Sequence, residues 1–363
     1  MHSPAAAAHD LTEQLNEVEK AKYVKVRKVG EGTYANVYLG HLASSPTSLV
    51  AIKKIKIQAD YKEGLAPDAV RELKFLQELS HPNIISLLSV FSSKDQNLNL
   101  VLEYLPLGDL EGLIKDHDIV YSTADMKAWI AMLTRAVYFC HANFVLHRDI
   151  KPNNLLIAAS GELKLADFGL ARSFSNPYSP MSTNVITMWY RPPELFFGAK
   201  HYAGAVDIWS VGCVMAELIY RNPYIWADTE IAQVSKMCEA LGTPTEENWP
   251  GVTKLPKYVV QEPVRPLIGR GVWMERFGVV GEEGVDLIMG MLTYDPRKRI
   301  SARGVLEHEW WRVEPRPTKT VDLPRKREGG QKKMGEDLKR RPGVLDDERG
   351  NKVARKLDFG AMK

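Results

Sequence analysis

His147-Arg148-Asp149-Ile150-Lys151-Pro152-Asn153-Asn154-Leu155-Leu156 crowds an imidazole, an acid, an ammonium and two amides just ahead of an apolar run. An acid with a lysine two residues on suits transfer of a phosphoryl group to a hydroxyl. Asp149 can accept the proton of the attacking hydroxyl, Lys151 can neutralise charge on the group in transit, and the side-chain oxygen of Asn154 can hold a metal ion. Leu155 and Leu156 would floor a nucleotide pocket. His, Arg, Asp, Lys and Asn at these spacings arise by chance in on the order of one in ten thousand chains of this length, so the motif is strong. Asp167-Phe168-Gly169 follows 18 residues after Asp149, with a carboxylate for Mg2+ and a glycine that lets the chain turn.

Upstream, Gly30-Glu31-Gly32-Thr33-Tyr34-Ala35 is a glycine-rich turn with alanine where a third glycine would stand. A dinucleotide fingerprint would need a helix straight after it. ANVYLG reads instead as a strand, so the turn belongs to a β-hairpin flap whose backbone can approach phosphates. Val50-Ala51-Ile52-Lys53 sets a lysine at the end of an apolar strand, and Glu72 follows 19 residues later in a helical stretch. There it can pair with Lys53 and hold the ammonium against the α- and β-phosphates of ATP.

The elements that must position these groups change type along the chain. From Tyr23, YVKVRKVG and ANVYLG alternate about the EGTY turn and LVAIKKIKI follows a Ser/Pro-rich turn, which predicts a β-meander. Pro67 opens DAVRELKFLQEL, where Val70, Leu73, Leu76 and Leu79 recur at helical spacing until His81-Pro82-Asn83. Strand-like sequence runs to LNLVLEYL, PLGD forms a linker, and helical patterns dominate beyond it (DMKAWIAMLTRAVYFCHANF, VDIWSVGCVMAELIY, TEIAQVSKMCEALG, GVDLIMGMLTYD). The fold class is α+β: a small five-stranded β lobe with one main helix, a larger helical lobe, and a cleft between them where a ligand binds. The expected divisions are a flexible extension over 1–20, the small lobe over 21–102, a hinge over 103–109, the large lobe over 110–311 and a disordered basic tail over 312–363.

At 363 residues and 45% hydrophobic the chain can bury a sizeable core. No apolar run reaches the roughly 18 residues of a membrane span, and MHSPAAAAHD lacks the apolar region of a signal peptide. The expectation is a soluble, intracellular protein without membrane contact. Cys140, Cys213 and Cys238 form no CxxC pair, which favours buried thiols over a disulfide or zinc site. Residues 312–363 hold 16 Lys or Arg against 9 Asp or Glu, so of the formal net charge of +3 the first 311 residues carry −4. A nucleic-acid-binding core is disfavoured, and any such contact would fall to the tail.

The ordered set of flap, Lys53, Glu72, HRD, DFG and Pro193-Glu194 resembles the eukaryotic protein kinases over about residues 21–311. The resemblance implies that Val29, Gly30, Glu31, Gly32, Val37, Ala51 and Leu156 enclose ATP, with Leu102 as gatekeeper. It also implies that Glu103, Tyr104 and Leu105 offer backbone groups to adenine, that Asp109 meets the ribose, and that Asn154 and Asp167 hold Mg2+. The same resemblance implies that Thr187 joins Asp149, Lys151 and Asn154 as catalytic, that Glu194 pairs with Arg299, and that Asp207 anchors the catalytic loop.

VREL, WYRPPEL and LGTPTEENWPGVTKLP are similar to the cyclin-dependent branch, and GEGTYANVYLG, LARSF and HRDIKPNNLL are most similar to the kinase subunits of TFIIH, the CDK-activating kinases, in fungal form. That resemblance implies a cyclin H-type partner, an assembly factor, a nuclear location, and Ser/Thr-Pro substrates in RNA polymerase II repeats and in activation loops of other cyclin-dependent kinases. Arg71, Arg148 and Arg172 would gather a phosphate on Ser182 or Thr183, with Ser179-Pro180 a further candidate. Thr33-Tyr34 keeps the pair that is an inhibitory phosphosite in cell-cycle relatives.

Proline lacks an N–H, so a docking carbonyl turned away from the +1 residue penalises every other residue there. Val185 and Ile186 occupy that place with Arg191 to hold the backbone, which predicts an unusual conformation at Ile186. A cell-cycle or other transcriptional cyclin-dependent kinase is the alternative within the branch. A pseudokinase scaffold would lack the equivalent of Lys53, Asp149 or Asp167, and none is missing. The tail runs around Arg325 and Arg340 read as solvated charge or nuclear-import signals.

Overall fold

The computed structural model describes residues 4–31, 35–56, 67–93, 97–176 and 178–325. After a first helix, α1 (Pro4–Ala21), the strands β1 (Tyr23–Glu31), β2 (Ala35–Leu42), β3 (Ser45–Ile55), β4 (Leu87–Ser92) and β5 (Leu98–Glu103) form one antiparallel sheet in the order β1-β2-β3-β5-β4. Strand β3 is central and buried on both faces over its middle. Val50 and Ile52 pack with Phe91 and Val101 on one side, while Ala51, Leu100 and Leu102 face the core shared with the large lobe. The stretch Ser45–Ser48, expected as a turn, is the beginning of β3, because the β2–β3 reversal closes where Leu42 pairs with Ser45.

Helix α2 (Pro67–Glu78) lies between β3 and β4 in sequence and buries Ala69, Glu72, Phe75 and Leu76. The apolar spacing expected to face inward starts at Val70, yet Val70 is 48% exposed. The inward face is therefore rotated so that Glu72 goes in, which only a buried cationic partner makes tolerable.

The large lobe contains α3 (Leu110–Ile114), α4 (Thr123–Ala142), α5 (Pro193–Phe196), α6 (Ala205–Tyr220), α7 (Glu230–Leu241), α8 (Arg270–Phe277), α9 (Glu282–Met291) and α10 (Ala302–Glu307). Ser122 and Asp125 start α4 with a capping box. Helices α4 and α6 are apolar nearly all round, as central helices must be, with Leu133, Val137, Val211 and Val214 wholly buried. Two short ladders, β6 (Val145–Leu146) with β9 (Arg172–Ser173) and β7 (Leu155–Ile157) with β8 (Leu163–Leu165), carry the loops of the cleft. All three cysteines are buried, and burial pushes their thiols up. No helix among the described residues is long and apolar enough to cross a membrane.

Both ends correct the sequence expectation. Residues 4–21, expected as a loose extension, are helical, and α1 is fixed to the sheet edge. Asn16 Nδ2 donates to Ser92 O at 3.0 Å, Ser92 N donates to Asn16 Oδ1 at 2.6 Å, and Ser89 Oγ donates to Glu19 at 2.5 Å. Edge strand β4 has unpaired backbone groups, and an amide side chain satisfies them without any apolar signature.

Residues 312–325, assigned to the disordered tail, are packed as a strap. Thr318 N donates to Ala124 O, Leu323 is 4% exposed, and Arg325 donates to the carbonyls of Ala159 and Ser160. The wholly buried Lys127 donates to Trp310 O and Val313 O and ties the start of the strap to α4. Gly161 stands at φ +88°, and a Cβ there would meet Thr320 O at 2.2 Å, so the turn admits the strap only with glycine. Residues 326–363, including the run around Arg340, lie outside the described residues.

Candidate active site

The loop between β6 and β7 takes its shape from one buried carboxylate. Asp207, on α6, accepts from His147 N and Arg148 N at 3.0 and 2.9 Å and bonds His141 Nε2 at 2.9 Å. Burial would raise its carboxyl, but His141, His147 and the loop amides hold it below the usual value. The tightened loop puts Arg148 at φ +64°. His147 accepts from Asp149 N through Nδ1 and reaches Ala166 O through Nε2 at 3.1 Å, so the proton belongs on Nε2. Burial lowers its pKa, in keeping with a neutral ring.

Asp149 is the hub of the loop. Its Oδ1 accepts from Thr187 Oγ1 at 2.8 Å, and its Oδ2 accepts from Lys151 Nζ at 2.8 Å and Asn154 Nδ2 at 3.0 Å. Lys151 Nζ also donates to Thr187 Oγ1 at 2.9 Å. A carboxylate oriented by these bonds can take a proton from a hydroxyl, with the Lys151 side chain beside it for an incoming anion. The Asn154 amide nitrogen is spent on Asp149, through O at 2.8 Å as well as Oδ2, which leaves its side-chain oxygen for a cation.

Across the cleft, Lys53 Nζ donates to both Glu72 oxygens at 2.6 and 2.7 Å and lies 3.4 Å from Asp167 Oδ1. Burial works to depress Lys53, but Asp167 and Glu72 overcome it and raise the ammonium above its ordinary value. Asp167 in turn is held down to about 2, mainly by Lys53. It stands at φ +66°, and the chain after it turns Phe168 into the core, edge-on to His147 with centroids 4.8 Å apart. Helix α2 rests on this turn. Asn83 Nδ2 donates to Leu163 O, and Ile85 N to Leu165 O, so the exit of α2 is pinned to the strand that leads to Asp167.

The nucleotide-side residues surround the same cleft. Val29 and Ala51 are buried, Val37 is half-buried, and Gly30 pairs with Val37 across the β1–β2 ladder. Glu31 pairs instead with Lys28 and Lys56 at the surface. Gly32, Thr33 and Tyr34 lie outside the described residues. Leu102 and Leu105 are buried, and Glu103 bonds Lys164 and Ser86 N. Asp109 caps α3 through Oδ1 to Gly112 N at 2.7 Å, a structural duty beside the expected ribose contact. Leu156 bridges to Asp109, and Ile157 N donates to Gly108 O.

In the segment from Asp167 to Glu194, Arg172 donates to Ser179 Oγ and Pro180 O at 2.9 and 3.0 Å. Arg148 reaches Leu170 O through Nε and Tyr202 through Nη1, and the Tyr202 hydroxyl donates to Ser182 O at 2.7 Å. Two of the three expected arginines thus bond to or through this segment, while Arg71 sits half-buried on α2 beside Glu72. Ser182 is exposed and Thr183 half-exposed.

Ile186 has φ +67°, the unusual conformation expected of it, and Arg191 donates to the carbonyls of both Val185 and Ile186. Glu194 and Arg299 form a buried bidentate pair at 2.7 and 2.9 Å. His141 and Tyr202 could not be read from the sequence because their partners lie 20 to 66 residues away and no local spacing marks them.

Comparisons with known proteins place the chain in one family. Residues 23–311 match the family model for the protein kinase domain. The serine/threonine-protein kinase KIN28 of Saccharomyces cerevisiae is 48% identical over 297 residues, 82% of this chain and 95% of KIN28. The serine/threonine-protein kinase crk1 of Schizosaccharomyces pombe is 47% identical over 327 residues, 90% of this chain and 96% of crk1. Cyclin-dependent kinase 7 of Dictyostelium discoideum is 44% identical, covering 84% of this chain and 83% of its own. Among solved structures, a chain of the CAK complex of Chaetomium thermophilum bound to ATP-γ-S is 65% identical with a TM-score of 0.84, covering 87% of this chain and 99% of that one.

Proposed function

The chain belongs to the protein kinase family and is an ATP-dependent serine/threonine kinase of the cyclin-dependent kind, and on that premise we propose that it phosphorylates Ser/Thr-Pro sites with a cyclin H-type subunit bound. The observation that carries the substrate reading is Ile186 at φ +67° with Arg191 holding its carbonyl. A carbonyl committed to an internal guanidinium offers nothing to a +1 N–H, so proline, with no N–H to strand, is favoured.

In the reaction the substrate hydroxyl oxygen attacks the γ-phosphorus, its proton passes to an Asp149 carboxylate oxygen, and the bond from γ-phosphorus to the β–γ bridging oxygen breaks to release ADP. Thr187 orients the Asp149 carboxylate, and Lys151 meets the charge on the phosphoryl oxygens. Lys53, held by Glu72, positions the α- and β-phosphates. Asp167 and the Asn154 side-chain oxygen would hold Mg2+. One carboxylate and one amide oxygen form a hard, incomplete donor set that suits an ion sharing its shell with phosphates and water, and among the described residues no group of three or more His, Cys, Asp or Glu could hold a metal alone. Bound there, the ion supplies charge neutralisation on the phosphates.

The cyclin would bear on the exposed Val70 side of α2 and keep Glu72 against Lys53. An assembly factor, membership of TFIIH and a nuclear location belong to the same proposal, and the likeness to KIN28, crk1 and a chain of a CAK complex supports it. The same likeness points to RNA polymerase II repeats and kinase activation loops as substrates. A phosphate on Ser182 or Thr183 would take up Arg148 and Arg172, with Arg71 as the third cation. The net negative charge of residues 1–311 speaks against nucleic-acid contact by the core.

The test is transfer of labelled phosphate to a YSPTSPS-repeat peptide by the full chain with a cyclin H-type partner and Mg-ATP, with Asp149→Asn as control. Transfer that needs both the cyclin and Asp149 is expected. ATP binding without transfer would overturn the substrate reading.

A further inference from the structure

Helix α1 meets the sheet with its polar side. Asn16 and Glu19 make its bonds to β4, whereas Leu11, Leu15 and Val18, spaced i, i+4 and i+7, are 57%, 61% and 61% exposed. An amphipathic helix on a folded domain ordinarily turns its apolar stripe inward. Here the stripe faces solvent while the helix is anchored by hydrogen bonds, an arrangement that displays a row about 10 Å long for a helical partner.

The stripe does not stand alone. Glu19, next to Val18, forms one wall of a groove whose other walls are Leu76, Gln77 and Leu79 at the end of α2 and Leu87 to Val90 of β4. Leu88 in that groove is 51% exposed. Gln77 lies two turns on from Val70, so Val70, Lys74 and Gln77 make one exposed face of α2 that leads into the groove. The α2 face, the groove with Leu88, and the α1 stripe follow one another on the small lobe.

We propose that the cyclin H-type subunit covers this whole surface, and that the Leu11–Leu15–Val18 stripe is an extension of its contact beyond α2. The inference rests on the cyclin dependence proposed above. A second copy of the chain is the weaker occupant. Three side chains fall well short of the roughly 1,000 Å² that a specific interface needs, so the stripe suits the extension of a neighbouring contact and not a seam of its own.

The test compares binding of a purified cyclin H-type subunit to the full chain, to Val70→Asp, and to the double variant Leu11→Asp/Leu15→Asp, by calorimetry. A second double variant, Leu11→Gln/Leu15→Gln, removes the apolar surface with good helix formers and guards against loss of α1 itself. Both double variants are expected to bind at least tenfold more weakly than the full chain while binding an ATP analogue equally well. Wild-type affinity in both would overturn the inference, as would a free chain that is dimeric and becomes monomeric in them. No binding by the unaltered chain would instead overturn the cyclin reading on which it rests.

Discussion

Arg191 and Ile186 are locked together: Nε and Nη2 of the arginine lie 3.3 and 3.2 Å from the carbonyl oxygen of an isoleucine whose φ is +67°. A β-branched residue in that region is strained, and the guanidinium is the group that holds it there. Arg191→Ala is expected to free the backbone and cut discrimination between proline and alanine at +1 by about tenfold, equivalent to one hydrogen bond of roughly 1.4 kcal/mol. Rates on paired peptides differing only at that position give the answer, and unchanged selectivity would remove Arg191 from the explanation.

Asp149→Asn should lower kcat by about 10²- to 10⁴-fold, the usual contribution of a general base, and leave ATP affinity nearly unaltered. Thr187→Ala removes one hydrogen bond to Asp149 Oδ1 and one acceptor for Lys151. A smaller fall in kcat, about tenfold, is expected of it. Single-turnover rates with saturating ATP separate the two.

Glu217 gives a pH signature. It is buried and accepts from Tyr190 Oη at 2.6 Å, and burial pushes its carboxyl up to about 7 from an unfolded value of 4.5, with Glu111 adding to the rise and Tyr190 and Lys115 opposing it. Between those values the folded chain keeps a proton that the unfolded chain has lost. Stability therefore falls as pH rises through that window and levels off above it, by roughly 3 kcal/mol in all. Denaturant titrations at several pH values should show this slope in the wild type and lose it in Glu217→Gln.

The guanidinium of Arg299 meets Glu194 twice and also donates to Thr293 O, Tyr294 O and Ala205 O. Removing it strands a buried carboxylate and three carbonyls. Arg299→Ala is expected to destabilise the large lobe by about 3 to 5 kcal/mol, measured by chemical denaturation. A loss below 1 kcal/mol would mean that water repairs the gap.

Truncation after Pro317 removes the later part of the strap, residues 318–325. It exposes what Leu323 covers and frees the Ala159 and Ser160 carbonyls. A loss of about 2 kcal/mol is expected from that one side chain, read as a lower melting midpoint.

Much of the sheet and the main helices could be read from the sequence, because alternation in β1 and β2 and the apolar periodicity of α4 and α6 are local signals. Lys53 and Glu72 could be paired in advance because one strand end and one helix present them to each other. The rest was hidden for a physical reason. Asn16, Tyr202, His141 and Arg325 act through hydrogen bonds to groups 54 to 166 residues away, and a polar side chain carries no period to announce such a partner. Val70 misled for the opposite reason, since its apolar spacing on α2 matches a core face that the structure gives to Glu72 and Phe75.

The 105 residues that separate Glu194 from Arg299 also set a schedule. During synthesis at about 5 to 20 residues per second, Arg299 leaves the ribosome roughly 5 to 20 seconds after Glu194. Over that interval the carboxylate has no guanidinium, and its burial would be heavily penalised. The large lobe is therefore expected to stay open around α5 until YDPRKRIS emerges, a period in which its apolar helices depend on chaperones.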